Sequence, residues 1–254
     1  MTTPFRTGAA AQLDASAGDG NGNVTVPADC NAVVAFWSHW DGDAGETLSG
    51  LTLNGVGFTI QSQLAEGAAT GESGVGVATL VNPAIGTQNV AWTWSAGGAR
   101  SEGGELVLVF IKDANTGDFV RAAGTNAATE ATEASVGLAN TEATDLVLGF
   151  VQNFTGTNPT ITGVTAFIND AALNSEIYDV GDTTGVSGTV TVSNSTRDYT
   201  NTAAISLKAS TTQPGANAPT KRSHGFKLQQ MADAEDDGKF NELDVRNWWC
   251  EAFA

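Results

Sequence analysis

From about residue 20 to residue 210 of this 254-residue chain, the dominant period of the apolar side chains is two. A period of two throws alternate side chains to opposite faces of an extended backbone, whereas a helix repeats every ~3.6 residues. Val33, Ala35, Trp37 and His39 thus share one face of a strand, and Val34, Phe36, Ser38 and Trp40 share the other. Residues 106–111 and 146–151 carry no polar side chain, which predicts strands covered on both faces near the middle of a sheet. No helical period of comparable length occurs before residue 220, so the body of the chain is expected to be all-β.

The turns support this. Leu51 and Leu53 run into Asn54-Gly55, after which Val56, Phe58 and Ile60 alternate with small residues. Asn-Gly between alternating runs marks a two-residue hairpin, because a type I′ turn needs positive φ at both central residues. Residues 75–81 and 90–94 are expected strands, joined by a connector that Pro83 and Gly86 punctuate. Residues 164–168, 176–180, 189–193 and 203–207 bring the total to roughly a dozen short strands. Their spacing, β-branched content and Gly/Asn/Asp turns indicate a two-sheet antiparallel β-sandwich of jelly-roll type. No internal repeat is visible in the sequence.

The expected organisation is an N-terminal arm (1–19), the sandwich (20–210), a Pro/Gly/Ala/Thr-rich linker (211–224) and a tail (225–254). In the tail, Val245, Trp248, Trp249, Ala252 and Phe253 form one apolar stripe of a short helix. Trp248, Trp249 and Phe253 need a surface to cover them, which makes them candidate anchors, with the arm (2–13) as a second anchor.

Eleven Lys+Arg against twenty-eight Asp+Glu give a net charge of -17. Nucleic acid is not expected as a partner, because binding phosphates needs a basic stripe. No run approaches the ~18 apolar residues of a membrane span. Cys30 and Cys250 are too few and too far apart for a disulfide framework and are expected to be free. The stretch 1–6 lacks the basic start and apolar run of a secretory signal, so a protein released without export is expected.

The run Leu51-Thr52-Leu53-Asn54-Gly55-Val56-Gly57-Phe58-Thr59, followed by Leu80-Val81-Asn82-Pro83-Ala84-Ile85-Gly86-Thr87-Gln88-Asn89-Val90, resembles β-sandwich modules of tailed-bacteriophage virion proteins and bacterial extracellular surface proteins. Val109-Phe110-Ile111-Lys112-Asp113-Ala114-Asn115, Thr144-Asp145-Leu146-Val147 and Ala203-Ala204-Ile205-Ser206-Leu207-Lys208 fit the order of such modules. The resemblance covers about residues 20–210 and consists of turns and strands. It implies a fold and a virion or surface setting, and it carries over no catalytic residue.

His39 and His224 are the only histidines, and Gly71-Glu72-Ser73-Gly74 has the wrong spacing for a nucleophile elbow. A glycosidase would need paired carboxylates across a cleft with an aromatic floor. Trp92, Trp94 and Trp37 could supply that floor, and Trp92 and Trp94 a glycan platform, although the alternation of Val90, Trp92 and Trp94 also fits an inter-sheet core. The residues 233–244 follow much of the calcium-loop pattern, with Asp233, Glu235, Asp237 and Asn241 as oxygen ligands, Gly238 at the turn and Asp244 closing. The competing reading is an acidic helix N-terminus. The acidic turns at 19–23 and 41–46 lack a closing ligand, and the alternating glycines at 18–22 have no following Lys for a phosphate cradle.

The expectation is therefore a non-enzymatic structural protein of a tailed-phage virion: a capsid decoration, spike or tail-fibre-associated subunit. Its partners would be other capsid or tail subunits and further copies of itself, and calcium is the one candidate ion. The alternative is a carbohydrate-binding or adhesin module for host surface glycans.

Overall fold

The computed structural model describes residues 2–16, 18–40, 45–65, 73–95, 104–153, 158–173, 176–185 and 188–210. The tail, with its expected helix and calcium-type loop, lies outside them. In chain order the strands are β1 (Phe5–Arg6), β2 (Ala11–Asp14), β3 (Gly20–Val26), β4 (Ala32–Trp40), β5 (Leu48–Leu53), β6 (Val56–Gly57), β7 (Thr59–Leu64) and β8 (Ser73–Val81). They continue as β9 (Gly86–Trp94), β10 (Gly104–Lys112), β11 (Val120–Gly137), β12 (Leu146–Asn153), β13 (Thr160–Thr162), β14 (Thr165–Leu173), β15 (Glu176–Thr184) and β16 (Thr189–Leu207). The described residues contain no helix.

These strands form three antiparallel sheets where the sequence led us to expect two. The middle sheet runs β1-β10-β4-β8-β7, with β2 also on β10, and an outer sheet runs β3-β9-β5-β6. The third sheet runs β11-β16-β12-β15-β14, with β13 on β16. The extra sheet follows from the covered strands themselves. β4 and β10 are apolar on both faces, so the middle sheet must be buried twice. Trp37, Leu106 and Phe110 pack with Leu53 and Trp92 of the outer sheet, while Phe36 and Val109 pack with Phe150 and Ile205 of the third.

β12 is covered twice as well, because the third sheet closes on itself. β11 and β16 pair over most of their length, but between Ala131↔Asp198 and Glu133↔Ser193 one strand advances two residues and the other five. Beyond this break, residues 133–137 and 189–193, together with β13, make a flap. Its Val136, Ile161, Val190 and Val192 cover Val147 and Val151 on the outer face of β12. The separate strands expected at 189–193 and 203–207 are the two ends of one strand, β16. The arm is not detached either: β1 and β2 form the edge of the middle sheet on β10.

The stack has two distinct ends. At one, Thr2 and Ser210 exchange backbone hydrogen bonds of 3.1 and 3.0 Å, and Ala32, Val81, Ile111, Leu146 and Leu207 mark where strands start or stop. We call it the terminal end. At the other, the loop end, β4 and β12 finish and β8, β10 and β15 begin.

Candidate functional site

Trp92 and Trp94, the sequence-derived glycan platform, lie in the core between the outer and middle sheets, 6% and 3% exposed. Trp92 Nε1 donates to the Gly18 carbonyl at 2.8 Å, and the Trp94 backbone N–H donates to Asp19 Oδ1 at 2.7 Å. Asp19 therefore serves a turn, and neither indole offers a face to a sugar ring. The candidate ligands Asp233, Glu235, Asp237, Asn241 and Asp244 and the candidate anchors Trp248, Trp249 and Phe253 lie outside the described residues. Among the described residues, no group of three or more His, Cys, Asp or Glu side chains is placed to hold a metal ion. Cys30 is free and buried; its Sγ donates to the Ala32 carbonyl at 3.1 Å, and burial pushes the thiol up from its ordinary range.

The most concentrated polar chemistry sits at the loop end, between the middle and third sheets. Four inward-facing rows of apolar side chains converge there, and each ends in a polar residue. Val34 and Phe36 lead to Ser38, Val109 and Val107 to Glu105, Leu148 and Phe150 to Gln152, and Ile205 and Ala203 to Asn201. Ser38, Gln152 and Asn201 are fully buried and Glu105 is 1% exposed. Ser38 Oγ donates to Gln152 Oε1 at 2.7 Å. Asn201 Nδ2 reaches Ser38 Oγ at 3.0 Å, Gln152 Oε1 at 3.1 Å and the Gly74 carbonyl at 3.3 Å. Gln152 Nε2 donates to the Asn153 carbonyl at 3.1 Å. Buried polar groups bonded this way fix the register of two sheets, since a slip would orphan them at about 1–3 kcal/mol each.

Ser38 has a histidine as its sequence neighbour, but strand alternation separates the two. Ser38 faces the third sheet, whereas His39 faces the outer sheet, with its ring 4.5 Å from that of Trp94 and flat against Gly74. Ser38 and His39 are thus divided by the sheet itself, and the hydroxyl is committed to an amide. This arrangement binds layers together and does not poise a nucleophile. The sequence carried a signal for half of this cluster, because Glu105 and Gln152 border the two apolar runs, 106–111 and 146–151, that were expected to be covered on both faces.

Ion pairs gather at the terminal end. Arg121 donates to Asp145 at 2.5 and 3.0 Å and pairs with Glu142 at 2.8 Å, while Asp145 also accepts from Ser206 Oγ at 3.0 Å. The Asp145 hydrogen bond is the main reason the Arg121 guanidinium sits above its ordinary value. Arg6 of β1 pairs with Asp182 of β15 and lies over the Phe167 ring, joining the middle sheet to the third. Lys112 meets Asp29 at 3.0 Å, and Lys208 meets Asp118 at 2.6 Å.

Two open hollows flank the pair made by the outer and middle sheets. One, of about 460 Å³, lies between β2 and β3 over Phe110; the other, of about 470 Å³, lies between β6–β7 and Phe119. Small, apolar and hydroxyl side chains dominate both. The one carboxylate of the second hollow, Asp118, is held by Lys208.

No protein-family model matches the chain, and no curated protein is recognisably similar to it.

Proposed function

We propose that the protein is a non-enzymatic structural subunit on the surface of a tailed-phage virion, a head decoration, spike or fibre-associated protein, docked to the particle through a terminal segment. The observation that carries this reading is the polarity of the stack. Thr2 and Ser210, which bound the described strands, are hydrogen-bonded to each other at one end, and β4 and β12 finish at the other. A body tethered at one end leaves its opposite end free to face outward, which suits a surface subunit. Its strongly negative charge keeps densely arrayed copies apart and soluble. Since β1 and β2 are committed to the middle sheet, the docking segment in this reading is the tail, with Trp248, Trp249 and Phe253.

A jelly-roll type of sandwich is part of the same proposal. The strand order β2-β10-β4-β8 facing β3-β9-β5-β6 supports it, because β2 to β5 alternate between the two sheets and β8 to β10 do so again, as in a roll. Mass spectrometry of particles purified from cells that make the chain tests the reading. Peptides of the chain are expected at the level of a structural subunit, and their absence from clean particles contradicts it.

A further inference from the structure

We infer that the described strands are two copies of one unit, residues 2–114 and 118–210, facing each other across a pseudo-two-fold axis. The surface buried between the middle and third sheets is then an interface built for a second copy of the same unit, here supplied by the same chain.

The strand orders carry the first part of this. In the first lobe the chain's opening strands, β1 and β2, pair with its last, β10, followed by β4, β8 and β7. In the second, β11 pairs with the last strand, β16, followed by β12, β15 and β14. The companion layers agree as well. β3-β9-β5 in the first lobe corresponds to residues 133–137, residues 189–193 and β13 in the second. β11 does continuously what β1, β2 and β3 do separately, and β16 does the same for β9 and β10. Irregularities repeat too. The edge strand skips a residue between Ile60 and Ser62 in one lobe and between Ala166 and Ile168 in the other. Leu53-Asn54-Gly55-Val56 has its counterpart in Ile161-Thr162-Gly163-Val164, with φ of 78° at Gly55 and 89° at Gly163. Bulges and left-handed glycines are specific local devices, and two coincidences at matching places point to common construction.

The seam carries the second part. Ala32 and Leu146 open β4 and β12, so Phe36 and Phe150 are the fifth residues of equivalent strands and Ser38 and Gln152 the seventh. Phe36 stacks on Phe150, with ring centroids 5.8 Å apart and planes within 10°. Ser38 bonds Gln152. A residue touching its own equivalent is the signature of an isologous, two-fold interface. Glu105 pairs with Ser38 and Asn201 with Gln152 in the two registers, so the four polar residues of the loop-end cluster are two equivalent pairs. The axis therefore runs along the strands, and equivalent strands of the two lobes run toward the same end.

Exchanging equivalents across the axis, in the full chain, tests this. Ser38→Gln alone crowds the seam and Gln152→Ser alone leaves bonded groups orphaned, and each is expected to lower the melting temperature by roughly 4–8 °C. The variant carrying both, with Glu105→Asn and Asn201→Glu added, rebuilds the cluster with the lobes interchanged. It should melt cooperatively within roughly 2 °C of the parent. The Ser38→Gln/Gln152→Ser pair alone should lose less than either single change. That pair decides the matter if the fourfold variant does not fold. Losses that simply add in the pair, or a fourfold variant that folds but melts as low as its single changes summed, overturn the inference.

Discussion

The two lobes share a strand order but not a filling, and the difference separates what sets topology from what sets size. Behind the middle sheet the first lobe packs Trp37, Leu51, Leu53, Trp92 and Trp94. Behind the third sheet the second lobe packs Ala134, Val136, Val147, Val190, Val192 and Ala204. Glycines accommodate each choice. A Cβ on Gly76 would sit 2.0 Å from the Trp37 ring, so the large indole lies flat where the neighbouring strand has no side chain. A Cβ on Gly149 would sit 2.7 Å from Val190 Cγ1, so in the second lobe glycine lets the flap itself come close. Alternation and turn placement decide which strand pairs with which. Side-chain volume then decides how far apart the layers stand.

The largest expected effect comes from this contrast in filling. Trp37→Ala should cost about 4 kcal/mol, because the flat surface of Gly76 cannot collapse into the space left. Val192→Ala in the flap should cost only about 1.5–2 kcal/mol, and denaturant titration of both variants measures the ratio. Equal losses would mean that the two cores are not different in kind.

A second contrast lies immediately before the equivalent strands β4 and β12. Asn31 exchanges bonds of 3.0 and 3.1 Å with the Ala114 backbone, whereas the fully buried Asp145 collects Arg121, Ser206 and the Glu142 N–H. Asp145→Ala leaves the part-buried Arg121 with Glu142 alone and orphans Ser206 Oγ and the Glu142 N–H, and should cost about 3 kcal/mol, against about 1 kcal/mol for Asn31→Ala. The matched left-handed glycines sharpen the comparison further. A Cβ at Gly55 meets nothing within 4 Å, so Gly55→Ala should lose only the ~1 kcal/mol of backbone strain. At Gly163 a Cβ would lie 2.1 Å from the Thr189 carbonyl oxygen, and Gly163→Ala should lose at least about twice as much.

The smallest effect concerns acid. Hydrogen bonds from Thr7 and Lys112 hold the Asp29 carboxyl below its usual range, while the corresponding second-lobe position is Ala143. A depressed folded-state pKa stabilises above the unfolded value, roughly pH 4, and that stabilisation disappears as pH falls through the folded value. Asp29→Asn should therefore flatten the acid limb slightly, by lowering the neutral plateau a little while leaving the acid end near the parent. A steeper acid limb would reverse the sign.

Much of this architecture was legible in the residues. Asn54 and Gly55 take φ of 51° and 78°, as the hairpin signal required, and β10 and β12 are covered on both faces as their unbroken apolar runs implied. β11 escaped notice because Ala, Thr, Asn and Glu fill it, and its pairing comes from β16 instead of from its own hydrophobicity. The arm escaped for a related reason: β1 and β2 hold only six residues and take their place from β10. The duplication was hidden because equivalent core positions differ in size, Trp37 matching Val151, while backbone geometry is what repeats. For the loop-end cluster the signal was present but looked like ordinary strand ends, since only the facing of two sheets brings Ser38 to Gln152.

Native-state hydrogen exchange on the full chain tests most directly whether the two lobes meet as equals. If they do, the amides of β4 and β12, flanking the Phe36–Phe150 stack, fall together in the slowest class, with β10 and residues 200–207 beside them. If β12 and residues 200–207 instead exchange as a separate, faster class while β4 and β10 stay protected, the seam is an ordinary contact between unlike domains and the two-fold arrangement is wrong.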